Sequence, residues 1–292
     1  MQSRTSPAAG RGRQYCSEAN PAESLWGTAA TVDVWICLEY RPAWKARVLE
    51  DNALSAPVRN WLEDNLAALE KRGLKGRPQF IRQPEVATDA VSLLLAANGQ
   101  CVEFRGQGYD FLLDLNLADV AAAPASHGRP LDAPVYLVCT NGQRDLCCAR
   151  FGLPTYNALK ERVGRRVWQV THLGGHRFAP NVLVLPEACL YGRVDGDSLD
   201  EFLDASERGR LDFHRLRGRT CYQPLAQAAE AALGLNGVRL LHVDGDDAEA
   251  TVTFADAAAR HTVTVRRSES SEQVIKSCGD EASAEVFPYV AA

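Results

Sequence analysis

The chain has 292 residues, 46% of them apolar and 24% charged, a balance that suits a soluble globular protein with one large domain or two of ordinary size. Its formal charge of -5 offers no global attraction for a phosphate backbone, which argues against nucleic acid as a partner. The longest apolar runs, Val91 to Ala97 and Val182 to Pro186, are far shorter than a bilayer requires, so no membrane partner is expected.

Residues 1–24 carry Arg4, Arg11 and Arg13 without a following apolar segment, and read as a disordered tail rather than a secretory signal. Nine cysteines without such a signal point to a reducing, cytoplasmic setting. There, clustered thiols serve metal or redox chemistry more often than structural disulfides.

From Thr31 the segment TVDVWICLEY alternates and is rich in β-branched and aromatic residues, which predicts a buried strand. Pro57 then opens an amphipathic helix with Val58, Trp61, Leu62, Leu66 and Leu69 on one face and Gly73 at its end. Short strands are expected at Gln79 to Gln83, Ala90 to Ala96, Cys101 to Phe104 and Phe111 to Leu115. The Ala- and Pro-rich stretch ADVAAAPASHGRPLDAP, which carries His127, has few apolar anchors and reads as a domain boundary. These signals give an N-terminal α/β domain over residues 25–125 and a second domain over residues 133–292.

Val135 to Cys139 is the next buried strand and delivers Cys139 at its C-terminal end, where ligands gather in α/β sheets. A polar loop from Thr140 to Cys148 follows, with Arg144 and Asp145 as a loop ion pair or a solvated turn, and Pro154 to Val163 then reads as a helix. A strand from Arg166 to Thr171 delivers His172 and His176, which flank Gly174 and Gly175. A hairpin (Asn181 to Leu185, Cys189 to Val194), two helices (Ser198 to Arg208, Pro224 to Leu233) and three strand segments complete the chain. Both halves share a strand-helix-strand-hairpin order, consistent with a degenerate second copy of one fold.

Two strand ends of one βαβ unit thus bring Cys139, Cys147 or Cys148, His172 and His176 together. Three chemistries compete for them. Two thiolates and two imidazoles suit a 2Fe-2S cluster, in which neutral histidines raise the reduction potential and can couple it to a proton. The same set suits tetrahedral zinc in a structural or interaction role, although the gap from Cys139 to Cys148 is longer than usual zinc spacings. A thiol-disulfide pair is the third reading, weakened by the lack of a C-x-x-C motif. Cys37, Cys101, Cys189 and Cys221 lack nearby ligand partners and read as small buried hydrophobes. Trp168 and Phe178 read as core, and Arg177 as a surface cation or an offset to cluster charge.

The stretches CTNGQRDLCCARFGLP and VWQVTHLGGHRFAPNVLVLPEACLYGRV resemble the sucrase/ferredoxin-like family, and LWGTAATVDVWICLEYRPAW resembles its N-terminal region more loosely. The resemblance implies an α/β protein with a thioredoxin-like ferredoxin domain and a C-terminal strand extension. It implies a 2Fe-2S cluster held by Cys139, Cys148, His172 and His176, with Cys148 preferred to Cys147 by the family's C-x8-C spacing. The implied function is electron transfer without independent catalytic activity, in company with a redox partner such as a flavin reductase. No paired carboxylates are placed for the glycosidase chemistry that the family's name suggests. Cys278, in SCG near the tail, also echoes the family without an assigned role.

Overall fold

The computed structural model describes residues 15–292; the first fourteen residues of the expected tail lie outside the described residues. From residue 15 the expected tail is folded. Cys16–Ala19 form a short helix, α1, and Cys16, Asn20 and Glu23 are buried. Asn20 explains why: its side chain donates to the Ile275 carbonyl and accepts from the Ile275 N–H, tying this end of the chain to the other.

The first half is built around β1 (Val34–Glu39), which is buried along its whole length. Its alternate residues serve two cores: Val34, Ile36 and Leu38 face one, Trp35 and Cys37 the other. Helix α2 (Ala56–Lys71) buries Val58, Trp61, Asn65 and Leu69, a stripe at helical spacing, and returns the chain to β2 (Gly76–Arg82), parallel to β1. The strands β3 (Ala90–Ala97) and β4 (Gln100–Gln107) then form a hairpin, with β3 antiparallel to β1. Phe111 to Leu115, expected to be a strand, is a 3₁₀ turn over Asp110–Asp114; the segment has no β-branched residue, and only Leu112 is buried.

The expected boundary segment does not lack anchors. It contains helix α3 (Leu117–Ala122), capped by the Asn116 side chain, whose Leu117, Ala118, Val120 and Ala121 enter the first core, and the short strand β5 (Arg129–Pro130).

The second half repeats the connectivity of the first. Strand β6 (Val135–Cys139) leads through helix α4 (Leu146–Val163) to β7 (Val167–Val170), parallel to β6. The hairpin of β8 (Val182–Leu185) and β9 (Cys189–Tyr191) follows, with β8 antiparallel to β6. Helix α4 begins eight residues before the start expected at Pro154, because Asp145 caps its N-terminus by accepting the Cys147 N–H. Pro154 therefore lies inside the helix and costs it one backbone hydrogen bond.

The two halves share one sheet. β2 and β7 pair antiparallel at Ile81 with Val170 and Arg82 with Gln169. After helix α5 (Leu199–Glu207), strand β10 (Leu216–Arg219), which the sequence did not announce, closes the far edge. The order in this ten-stranded mixed sheet is β10-β9-β8-β6-β7-β2-β1-β3-β4-β5. One core joins both halves, drawing Trp35 and Ile81 from the first and Leu137, Val170 and Leu183 from the second.

Helix α6 (Pro224–Leu233) packs on a separate antiparallel sheet of β11 (Arg239–Gly245), β12 (Glu249–Ala255), β13 (Arg260–Arg267) and a late strand at the C-terminus. Before that strand, β14 (Glu272–Val274) and β15 (Ala284–Val286) form a two-stranded ribbon whose loop carries Cys278; β16 (Tyr289–Ala291) then joins β13. Among the described residues no helix is long and apolar enough to cross a membrane.

Candidate metal centre

Parallel pairing of β6 with β7 sets Cys139 opposite Val170, so Cys139 and the loop bearing His172 leave the sheet at the same edge. The first turn of α4 arrives there because Gly152 lets the helix lie directly on the β6 end. A Cβ on Gly152 would overlap the Cys139 carbonyl oxygen and stand 3.2 Å from its carbon. Cys139, Cys148 and His172 consequently offer ligand atoms that all lie within 4.8 Å of one another. His172 Nδ1 is 3.8 Å from Cys148 Sγ.

The second histidine is close but differently held. The rings of His172 and His176 have centroids 5.1 Å apart. His176 Nε2 lies 3.5 Å from Asp145 Oδ2, whereas its Nδ1 is buried without a hydrogen-bond partner. His176 is thus not among the three residues whose ligand atoms converge, but its uncommitted buried Nδ1 is a donor atom available to a metal. Cys147 points elsewhere: its sulfur lies 3.5 Å from Cys16 Sγ and 3.1 Å from Cys278 Sγ. Of the two adjacent cysteines, Cys148 is therefore the one beside Cys139 and His172.

Asp145 is not half of a solvated loop pair. It is buried, and besides capping α4 it accepts from the Ser277 hydroxyl at 2.8 Å and the Cys278 N–H at 2.9 Å. The local polarity favours thiolate and neutral imidazole. A hydrogen bond from Cys148 holds Cys139 well below the ordinary thiol range; burial opposes it, and contacts from His172 and the Leu173 backbone reinforce it. The same bond, with burial, pushes Cys148 up. Burial lowers His176, with Asp145 opposing, which favours the uncharged ring that metals require.

Arginines hold the histidine loop. Arg217, almost wholly buried, donates to the Gly174 carbonyl and Asn181 Oδ1 at 2.8 Å each, and to the Thr28 hydroxyl and carbonyl. Arg77 donates to the His172 carbonyl at 3.2 Å. Arg177 pairs with buried Glu23 at 2.8 Å and stacks over Phe178, so it is committed to structure rather than free at the surface. His172 is half-buried at the edge of a groove of about 450 Å³ that Arg47, Glu50, Asn141 and Arg144 also line.

Burial raises the thiols of Cys101 and Cys189 to about 12, in keeping with small hydrophobes in strands, and Cys37 is buried likewise. Cys221, expected to behave in the same way, is exposed. Trp168 and Phe178 are core residues. The buried capping role of Asp145 differs from the loop pair or solvated turn expected for it, and Arg217 lies in a strand for which the sequence carries no signal.

A family model described as sucrase/ferredoxin-like matches residues 25–218, a span that includes Cys139, Cys148, His172 and His176 and leaves out Cys16 and Cys278. No curated protein and no solved structure matches the chain.

Proposed function

The chain belongs to the sucrase/ferredoxin-like family, and from that membership and its donor set we propose that it is a one-electron carrier whose Cys139, Cys148, His172 and His176 hold a 2Fe-2S cluster. The observation that carries the proposal is the convergence of two thiols and one imidazole within 4.8 Å, beside a second imidazole whose buried Nδ1 has no partner. The repeated βαβ-hairpin units, with the donors at the strand ends of the second, are read as two thioredoxin-like folds, the first without ligands.

Such a cluster takes up and releases one electron, and histidine ligands give it a higher potential than four cysteines would. The chain's own residues tune that property. Asp145 lies 3.5 Å from Nε2 of His176, so Nδ1 would be the atom that ligates, with the carboxylate raising its basicity. Arg77 and Arg217, fixed on the carbonyls of His172 and Gly174, hold positive charge beside the histidine loop and would favour the reduced state of a cluster bound there. His172 lines the groove and is the natural point of contact for a redox partner such as a flavin reductase.

Anaerobically purified protein should contain iron and acid-labile sulfide in equal amounts and show a reducible visible chromophore. A colourless protein carrying zinc on these four residues would refute the proposal. Proton coupling is tested separately: the midpoint potential should fall with rising pH in the alkaline range, and a flat response would exclude it.

A further inference from the structure

A second group of thiols lies back to back with the first. Cys16 comes from α1, Cys147 from the first turn of α4 and Cys278 from the β14–β15 loop, so each is supplied by a different part of the chain. Their sulfurs form a triangle with sides of 3.5 Å (Cys16–Cys147), 3.1 Å (Cys147–Cys278) and 3.7 Å (Cys16–Cys278). A carboxylate oxygen of Asp145 lies within 4.8 Å of all three sulfurs.

Sulfurs bound tetrahedrally to zinc at about 2.3 Å stand roughly 3.8 Å apart, whereas disulfide sulfurs are about 2.05 Å apart. Two sides of the triangle are close to the first spacing, the 3.1 Å side is shorter, and all three are well beyond the second. We propose that Cys16, Cys147, Cys278 and Asp145 form a structural zinc site that staples the N-terminal helix and the C-terminal ribbon to α4. The surroundings suit thiolate ligands. Ser17 Oγ donates to Cys147 Sγ at 3.4 Å, and the Cys16 N–H points at Cys278 Sγ at 3.5 Å. Tyr15, Phe151, Ala179 and Ile275 pack around the group and keep it dry. Cys16 and Cys147 are fully buried and Cys278 is half-buried, so no position is left open for a substrate, as in closed structural sites. Three thiolates with one carboxylate select zinc over the oxygen-seeking magnesium and calcium. The ligands lose their protons on binding, and the ion offsets the buried negative charge.

The zinc site shares Asp145 with the surroundings of the iron-sulfur site but none of its four ligands, and the test separates the two. Full-length protein produced in zinc-supplemented medium is assayed for metals by mass spectrometry, and its zinc is examined by X-ray absorption. The expected result is about one zinc per chain with three sulfur neighbours at about 2.3 Å and one oxygen. Cys139→Ala/Cys148→Ala should keep this zinc, and Cys278→Ala should lose it. Zinc bound by two sulfurs and two nitrogens would place the ion on the other group and overturn the inference. So would a zinc-free protein, copper or iron on these cysteines, or a Cys147–Cys278 disulfide found by peptide mapping. The absorption measurement uses the unsubstituted chain, so the inference stays open to refutation even if the cysteine variants do not fold.

Discussion

Gly175→Ala isolates how rigidly the histidine loop is held. Gly175 has φ +66°, a left-handed conformation that costs an ordinary residue about 1–2 kcal/mol. A methyl group there would also stand 2.9 Å from Phe178 Cδ2 and 2.9 Å from Arg217 Cζ, with the Arg217 Nη2 closer still. Arg217 has little freedom to retreat, because its guanidinium is bonded to Thr28, Gly174 and Asn181. Overpacking of this kind adds about 1–3 kcal/mol, so the variant should lose about 2–5 kcal/mol of a total stability typically about 5–15 kcal/mol. Gly174→Ala is the control. Its φ of +96° brings strain, but the nearest atom to a new methyl is Arg77 Nη2 at 3.8 Å, so the packing penalty is absent. Urea melts of both variants, followed by tryptophan fluorescence, should differ by at least about 1 kcal/mol in favour of Gly174→Ala. Because Gly175 precedes His176, iron retention should fall further in Gly175→Ala as well. Equal destabilisation of the two variants would show that Arg217 does not clamp the loop.

Cys148→Ser should abolish iron and labile sulfide while Cys147→Ser keeps them; the opposite result would move the ligand to Cys147. Gly152→Ala should cost more than about 2 kcal/mol in urea melts, since a helix must retreat from the Cys139 carbonyl, and a neutral outcome would contradict the close approach of α4 to β6. For Glu207, burial raises the carboxyl pKa, but hydrogen bonds from Arg166 and Tyr136 outweigh it and hold the pKa below the ordinary range. Its stabilising contribution is therefore present above the unfolded value of about 4.3 and is lost as pH falls through the folded value. Stability curves of the wild type and Glu207→Gln should converge at the acid end; a constant gap between them would exclude this linkage.

Much of the scaffold is legible in the chain. VWICL and VYLVC are continuous apolar runs, and both lie in central strands buried on two faces. The repeated strand-helix-strand-hairpin order corresponds to two halves with matching pairings, yet the expected division between them runs through a single sheet. No local pattern announces the β2–β7 pairing, because it rests on two residue pairs separated by almost ninety positions. Helix α4 starts earlier than its proline predicts for a related reason. Proline is most at home in a first turn, so Pro154 looked like a start, whereas the cap at Asp145 is an aspartate whose other partners lie near residue 278.

Sequence alone singled out the donor-bearing residues at one edge of the sheet: residue type and short spacing already marked Cys139 at the end of β6, the Cys147–Cys148 pair that follows it, and His172 and His176 beyond β7. Tertiary structure decided the rest. Adjacent residues in the first turn of a helix point about 100° apart, so the two cysteines could not serve the same site once Asp145 fixed where that turn begins. Cys148 then faces Cys139 and His172, and Cys147 faces Cys16 and Cys278, which more than a hundred residues of chain separate from it on either side.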